Sequence, residues 1–454
     1  MTPCLLSISR MITLKKPVAL LVALLLLTSC DSKSPESKTS SLSSELGSTD
    51  KNHHQEPVRG VWLATTAHLD WPPVNSLNAS SPMERINQQK ASLRNKLDRL
   101  KNLGINTVFF QVKPDATAFW QSKILPWSDM LTGKIGEYPG YDPLQFMLDE
   151  AHKRGMKVHA WFNPYRVSTN TQPSTMVQLN NTLSLDKPSV YAVHRDWIRT
   201  ASNRFVLDPG LPEVRDWVTS IVSEVVANYD IDGVQFDDYF YTETSHSKLN
   251  DNSTYRLYGK GFASKADWRR DNTRQLITQI SHTIKKLKSN VEFGVSPAGI
   301  WRNNSSDPAG SNTRGAAAYD ESYADTRLWV QQGLLDYIAP QLYWPFARDA
   351  ARYDVLATWW ANVVKDTDTR LYIGIALYKV GEPSKLEPDW MVQGGVPELK
   401  KQLDLNDSIS QINGTILFRE SHLEQPQTQK AVNYLKERWT TVATNTIDST
   451  GENR

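Results

Sequence analysis

Apolar runs of strand length alternate with segments of helical period eight times along this chain of 454 residues. Each run is short and rich in β-branched and aromatic residues, and the segment after it repeats its apolar positions every three or four residues. The predicted strands begin at Val58, Asn106, Lys157, Asp232, Glu292, Asp336, Leu371 and Gly414. Eight such units predict an α/β protein, a single decorated (β/α)8 barrel of the TIM type.

Helix start and stop signals fall between the predicted strands. Ser81 and Pro82 open a helix that Gly104 closes, and Asp142 opens the next helix. The alternative architecture is an open doubly wound sheet, which normally carries a glycine-rich phosphate-binding turn after its first strand. Residues 65–70 contain no such turn, and this favours the barrel.

The N-terminus has the order of a bacterial lipoprotein signal peptide. Lys15 and Lys16 precede an apolar run that is too short to span a bilayer, and the run ends just before Cys30. We therefore predict that Cys30 is the lipidated first residue of the mature chain. The polar composition after it is typical of a segment that cannot bury a core. The predicted organisation is a signal peptide at 1–29, a disordered tether at 30–56, the barrel at 57–440 and a polar tail at 441–454.

Charge and motif content exclude several kinds of chemistry. The chain has 51 Lys and Arg against 49 Asp and Glu, so we expect no nucleic-acid partner. The histidines are scattered without a zinc motif, and no cysteine follows Cys30, so we expect neither a metal site nor a cofactor. A serine nucleophile is disfavoured because no GxSxG turn occurs.

Polar and aromatic side chains recur just after the predicted strands. In a TIM-type barrel these positions gather at one end, the C-terminal mouth, where ligands bind. Aromatic faces stack on sugar rings while amides and cations hydrogen-bond to hydroxyls, so the mixture indicates a saccharide. The candidate substrate-binding residues are Lys113, Asn163, Arg166, Gln235, Trp301, Gln341, Tyr343 and Trp344.

Two adjacent carboxylates, Asp237 and Asp238, end the fourth predicted strand. Glycoside hydrolysis uses a pair of carboxyl groups, and Asp237 is the first candidate because strand alternation places it on the same face as Gln235. The second carboxyl group is open among Asp238, Glu321, Asp325 and Glu420. We favour the loop after strand five over Glu420, although Glu321 and Asp325 equally fit helix N-terminal charges. All five carboxylates are therefore candidate catalytic residues.

Several long motifs resemble the glycosyl-hydrolase-like family ten of bacterial envelope lipoproteins. They include RGVWLAT from Arg59, GINTVFFQVKPD from Gly104, DGVQFDDYFY from Asp232, FGVSPAGIWRN from Phe293 and LYIGIALYKVG from Leu371. The resemblance covers residues 57 to about 439. It implies a TIM-type barrel and a lipid-anchored, periplasm-facing enzyme of the outer membrane. The implied reaction is cleavage of peptidoglycan glycan strands, preferably peptide-free (denuded) strands, at the division site with possible divisome partners.

Three points stay open at this stage. Asp31 resembles the signal that retains lipoproteins in the inner membrane. The fourth-strand motif also resembles amylase-related barrels, in which the acid matching Asp237 is the nucleophile, but this chain has Gln235 where they carry Arg and Ser296 where they carry an acid. A non-catalytic glycan-binding lipoprotein and a transglycosylase are the alternative functions. A second carboxylate about 5 to 9.5 Å from Asp237 separates an enzyme from a binding module.

Overall fold

The computed structural model describes residues 56–241 and 248–448, with side chains described through residue 440. The predicted signal peptide, the lipidated Cys30, Asp31 and nearly all of the tether lie outside the described residues. So does the end of the predicted tail, from residue 449 onward.

Eight parallel strands close into a barrel, as the sequence predicts. The barrel strands are β1 (Val58–Leu63), β2 (Thr107–Lys113), β3 (Lys157–Phe162), β6 (Gly233–Phe236), β7 (Glu292–Val295), β8 (Tyr337–Ile338), β9 (Arg370–Ile375) and β10 (Ile412–Leu417). Their order around the barrel is β1-β10-β9-β8-β7-β6-β3-β2. Strand β8 is shorter than predicted because Pro340 lacks the N–H that a continued ladder requires; beyond it, Gln341 alone bridges to Gly374.

Helices lie between the barrel strands. Those before β6 are α1 (Pro82–Leu103), α2 (Asp129–Thr132), α3 (Pro143–His152), α4 (Pro173–Asn181), α5 (Val190–Val193) and α6 (Pro212–Asn228). Those after it are α7 (Asn252–Tyr258), α8 (Lys265–Leu287), α9 (Ala318–Glu321), α10 (Thr326–Gln331), α11 (Tyr353–Val364), α12 (Val396–Ser408) and α13 (Gln429–Asp448). The Ser81 hydroxyl caps α1 by accepting from the Glu84 N–H, and Gly104 ends α1 at φ 88°. Helix α13 continues past the predicted barrel boundary at 440.

An antiparallel hairpin that the sequence analysis does not predict follows β3. Its strands are β4 (Ile198–Ala201) and β5 (Arg204–Leu207). Ser202 and Asn203 form the two-residue turn with φ of 50° and 57°, the conformation that matches the twist of a hairpin. Strand β5 also bonds to the chain beyond β3, since the Leu207 N–H donates to Tyr165 O at 2.8 Å. The hairpin is thereby fixed beside the mouth.

Aromatic side chains fill the lumen of the barrel. The lumen cluster contains Trp62, Phe109, Trp161, Tyr337 and Tyr372. His159 joins it, with Nδ1 2.9 Å from the Tyr337 hydroxyl, and burial lowers the pKa of His159 to about 3. Gly233 makes room for this ring because a Cβ there would lie 2.4 Å from Nδ1 of His159. The imidazole is therefore a neutral packing group.

None of the helices in the described part of the chain is long and apolar enough to cross a membrane. Among the same residues, no cluster of three His, Cys, Asp or Glu side chains has the arrangement of a metal site.

Candidate active site

A cavity of about 140 Å³ opens at the C-terminal mouth of the barrel. Five of its lining residues were predicted from the sequence, namely Arg166, Asp237, Asp238, Gln341 and Tyr343. The remaining lining residues are Trp62, Ala64, Thr66, Leu69, Gln111, Trp161, Tyr239, Ser296 and Phe418. Carboxyl, guanidinium and amide groups therefore share one cavity with aromatic rings, which is the mixture that sugar binding requires.

Asp237 is held by three N–H donors. Its Oδ2 atom accepts from Trp161 Nε1 and from Asn163 Nδ2, each at 3.1 Å. Its Oδ1 atom accepts from the backbone N–H of Asp238 at 2.9 Å. The residue is 7% exposed, and a carboxylate has about four lone-pair positions. The group is therefore rigidly oriented, with limited capacity left for a substrate.

A chain of amides fixes the orientation of Asn163. Gln111 Oε1 accepts the backbone N–H groups of Thr65 and Thr66, both at 2.9 Å. The amide nitrogen of Gln111 must then face the other way, and it donates to Asn163 Oδ1 at 2.7 Å. Asn163 consequently presents its NH₂ group to Asp237. Asn163 is fully buried, orients the carboxylate and does not line the cavity, and its predicted contact with substrate stays a prediction.

Asp238 has a different environment from that of its neighbour. The residue is partly exposed, but its Oδ1 atom is enclosed and has no hydrogen-bond donor among the described residues. Burial raises the pKa of Asp238 well above its usual range, and the charge of Asp237 and a hydrogen bond between the two carboxyl groups raise this pKa further. Asp238 is therefore the carboxyl group in the cavity that is suited to hold a proton.

Gln235 lies beneath the cavity as part of its floor. Its Oε1 atom accepts from Trp62 Nε1 at 2.9 Å, and its Nε2 atom donates to Ser296 Oγ at 2.5 Å. Gln341 continues this network by donating to Ser296 O at 2.9 Å. Gln235 is fully buried and supports the cavity lining from below, and its predicted contact with substrate stays a prediction. Gln341 remains at the cavity surface.

Aromatic rings and one cation form the rim. The Arg166 guanidinium lies 4.6 Å from the centre of the Tyr239 ring. On the opposite wall, Tyr343 packs against Phe418 with ring centres 5.6 Å apart. Both walls thus offer flat surfaces to a ligand.

Three other predicted substrate-binding residues do not line the cavity. Lys113 is buried and donates to the backbone oxygens of Asn163 and Pro164 at 2.8 and 3.3 Å; burial lowers its pKa to about 7. Trp301 is also buried, and it stacks on Trp359 at 5.8 Å. Trp344 packs against the hydrophobic core. The positions of all three follow the strand ends, but their side chains point into the protein.

The candidates for a second carboxylate at other strand ends also lie away from the cavity lining. Asp325 caps α10 by accepting from the Leu328 N–H at 3.3 Å, and Glu321 ends α9 on the exposed surface. Glu420 is buried against α1, where Lys96 and Arg99 pair with it at 2.5 and 2.7 Å.

Among the described residues, the only carboxyl groups that line this cavity are therefore those of Asp237 and Asp238.

Comparison with known proteins identifies the family of this chain. The sequence profile of the family described as "Glycosyl hydrolase-like 10" matches residues 57–392. The chain belongs to this family. Glycosyl hydrolase DigH of Escherichia coli K12 is 68% identical over 431 residues, which are 95% of this chain and 98% of DigH. Glycosyl hydrolase YngK of Bacillus subtilis is 44% identical over 364 residues, covering 80% and 68% of the two chains. The protein is accordingly a glycoside hydrolase.

Among solved structures, the glycoside hydrolase domain of PgaB (BpsB) from Bordetella bronchiseptica has a TM-score of 0.48 and 14% sequence identity. The similarity covers 84% of this chain and 98% of the PgaB domain.

The site of this glycosyl hydrolase includes residues that the sequence analysis missed. Trp161 donates to Asp237, and Trp62 donates to Gln235. The position of Trp161 follows from strand alternation. Trp161 comes two residues after the lumen residue His159, and its register partner on β6 is Gln235. The signal was thus present in the sequence, but it lies within the strands and not after their ends.

Proposed function

We propose that this glycoside hydrolase cleaves the glycan strands of peptidoglycan and prefers peptide-free strands. The observation that carries the proposal is the carboxyl pair Asp237–Asp238 in a cavity walled by aromatic rings. The sequence resemblance to envelope lipoproteins supports peptidoglycan as the polymer.

The two carboxyl groups divide the chemistry in this proposal. Asp238 is the carboxyl group of the lining that is suited to hold a proton, because burial and its neighbour raise its pKa. The hydrogen bond between the two carboxyl groups brings them closer than the separation of about 5 to 9.5 Å between a nucleophile or base and its general acid, so in this proposal Asp238 shares a proton with Asp237. Asp237 acts as the nucleophile or as the base for water, with its oxygens held by Trp161 and Asn163. The general acid is left open in this proposal, because Glu321, Asp325 and Glu420 lie away from the cavity lining.

The proposed location rests on the N-terminal sequence. A lipid on Cys30 would anchor the enzyme facing the periplasm, and the envelope-lipoprotein resemblance favours the outer membrane and proximity to division proteins. Asp31 keeps the inner membrane as the alternative. Fractionation of cells that carry the Cys30→Ala variant tests the anchor: release of the protein into the soluble fraction supports it, and unchanged membrane association contradicts it.

The test of function is digestion of purified glycan strands with mass analysis of the fragments. Amidase-treated strands should yield fragments with reducing ends, whereas untreated strands should be cut at least about tenfold more slowly, a difference of about 1.4 kcal/mol in transition-state free energy. Binding without fragments would support a glycan-binding lipoprotein, and longer recombined strands would support transglycosylation. Anhydro ends would also contradict hydrolysis.

A further inference from the structure

Two arginines, Arg166 in the cavity lining and Arg204 on the neighbouring strand β5, form no ion pair with a carboxylate in the described part of the chain. Arg166 lines the cavity, and its NH1 group donates to the backbone oxygen of Pro114 at 3.3 Å. Arg204 on β5 is half-buried. Within residues 56–241 and 248–448, neither guanidinium forms an ion pair, whereas arginines elsewhere in this part of the chain commonly do, as Arg199 does with Asp208 at 2.9 Å.

Backbone pairing brings these two arginines to one face. Arg166 forms an antiparallel bridge with Val206, so their side chains point to the same side. Arg204 precedes Val206 by two residues and shares its side because strand side chains alternate. After burial, the charge of Arg166 is the next largest cause that lowers the pKa of Arg204. The two cations therefore face each other across one short stretch of the mouth.

The acidic groups nearby form no ion pair with either guanidinium in the described part of the chain, although the charge of Arg166 acts on both Asp115 and Asp238. Asp237 is occupied by three N–H donors, and Asp238 is the group suited to hold a proton. Asp115 is bonded to the Thr117 hydroxyl at 2.6 Å, and burial raises its pKa to about 6. A ligand that carries its own negative charge would offset the repulsion between the guanidiniums.

A peptide-free strand carries such a charge at its lactyl group, and a peptide-bearing strand carries none at that position. The lactyl group of N-acetylmuramic acid ends in a free carboxylate once the peptide is removed, whereas the attached stem converts that carboxylate into a neutral amide. A guanidinium binds a carboxylate through two parallel N–H donors, a geometry that an amide cannot match.

We propose that Arg166 and Arg204 form a carboxylate-binding subsite that recognises the free lactyl group of a peptide-free strand. The proposal rests on the proposed function and identifies the chemical feature that the enzyme selects. Selection then depends on charge as well as on exclusion of the bulky stem, and these two contributions are separable by experiment.

The experiment compares three preparations of the same strands with the purified full-length protein. They carry free lactyl carboxylates, carboxylates converted to methyl amides, or intact peptide stems. The methyl amide removes the charge with little added bulk, so it isolates the electrostatic contribution. We expect kcat/KM to be about tenfold higher on the carboxylate strands than on the methyl amide strands, mainly through KM, and the ratio to fall as NaCl is raised.

The same comparison is then made with arginine variants of the protein. In Arg166→Gln and in Arg204→Gln, the carboxylate-to-amide ratio should fall from about ten to near one, whatever happens to the absolute rate. Arg274→Gln is the matched control, because Arg274 lies on the outer helix α8 and pairs with Asp271; its ratio should stay near ten. A wild-type ratio near one, or a ratio of about ten kept in both cavity variants, would overturn the subsite.

Failure of the proposed function has a different signature. If the protein cuts none of the strands, that proposal fails, and the subsite is then judged by calorimetric titration of N-acetylmuramic acid against its methyl amide. Tighter binding of the acid, abolished in Arg204→Gln, would uphold the subsite by itself. Equal binding of the two compounds would reject it.

Discussion

The replacement of Asp237 by Asn removes one charge from the cavity at almost constant shape. The amide oxygen can occupy the position of Oδ2 and keep the bonds from Trp161 and Asn163, which are each 3.1 Å long. The amide nitrogen then replaces Oδ1 and faces the backbone N–H of Asp238, which donated to it at 2.9 Å. Two neutral bonds thus remain and one bond is lost.

The expected cost to folding is modest. Hydrogen bonds to a charged group contribute roughly 1 kcal/mol more than neutral ones, so the two bonds that remain lose about 2 kcal/mol together and the lost bond costs about 2 kcal/mol more. Relief from burying a charge at a site that is 7% exposed offsets part of this loss. We therefore expect Asp237→Asn to lower the free energy of unfolding by at most about 3 kcal/mol, which corresponds to several degrees in Tm.

The expected cost to catalysis is much larger. A nucleophile or base that loses its charge should lower kcat on peptide-free strands by at least about a thousandfold, or about 4 kcal/mol of transition-state free energy. The assay measures new reducing ends, and strand binding and thermal melting are followed in parallel. Asp325→Asn is the matched control because it changes a carboxylate outside the cavity lining, and it should keep activity within about twofold. Activity of Asp237→Asn within about tenfold of wild type would refute the assignment.

Three further predictions concern groups around the site. Because the pKa of Asp238 is raised in the folded state, wild-type stability falls as pH rises from about 4 through that folded pKa; Asp238→Asn should therefore gain stability relative to wild type between pH 4 and pH 7 in thermal melts, while losing activity. Glu420→Gln should lower the free energy of unfolding by about 2 to 3 kcal/mol in urea titrations, since Lys96 loses its buried partner, and activity should persist; a loss of activity at unchanged stability would return Glu420 to the catalytic candidates. Gly233→Ala should cost at least about 2 kcal/mol, because its Cβ would lie 2.4 Å from Nδ1 of His159; an unchanged Tm would contradict this packing.

The barrel itself could be predicted because its information is local. Each strand is an apolar run bounded by turn residues, and all eight predicted runs are strands. The hairpin β4–β5 was missed because its two strands have four residues each and carry little periodicity. Its Ser202–Asn203 turn was nevertheless a recognisable signal, since Asn tolerates positive φ.

The site was predictable only in part, because its polar partners are distant in sequence. Asn163 and Gln235 follow the pattern of strand-end and lumen residues, but their burial depends on Gln111 and Trp62, the latter separated from Gln235 by 173 positions. The partners of Glu420 are also distant from it in sequence. Its sequence neighbour Arg419 pairs with Asp70 instead, and the partners of Glu420 come from α1.

The distribution of hydrogen-bond donors explains how two neighbouring carboxyl groups can take different roles. Three N–H groups converge on Asp237, whereas Oδ1 of Asp238 meets no donor in the described part of the chain. Donors stabilise a carboxylate, and enclosure without donors favours the protonated acid. The amide chain through Gln111 sustains this asymmetry, because it fixes which end of Asn163 faces the pair. The residues behind Asp237 and Asp238 thus give the two carboxyl groups different hydrogen-bonding environments, although the two residues are adjacent in sequence.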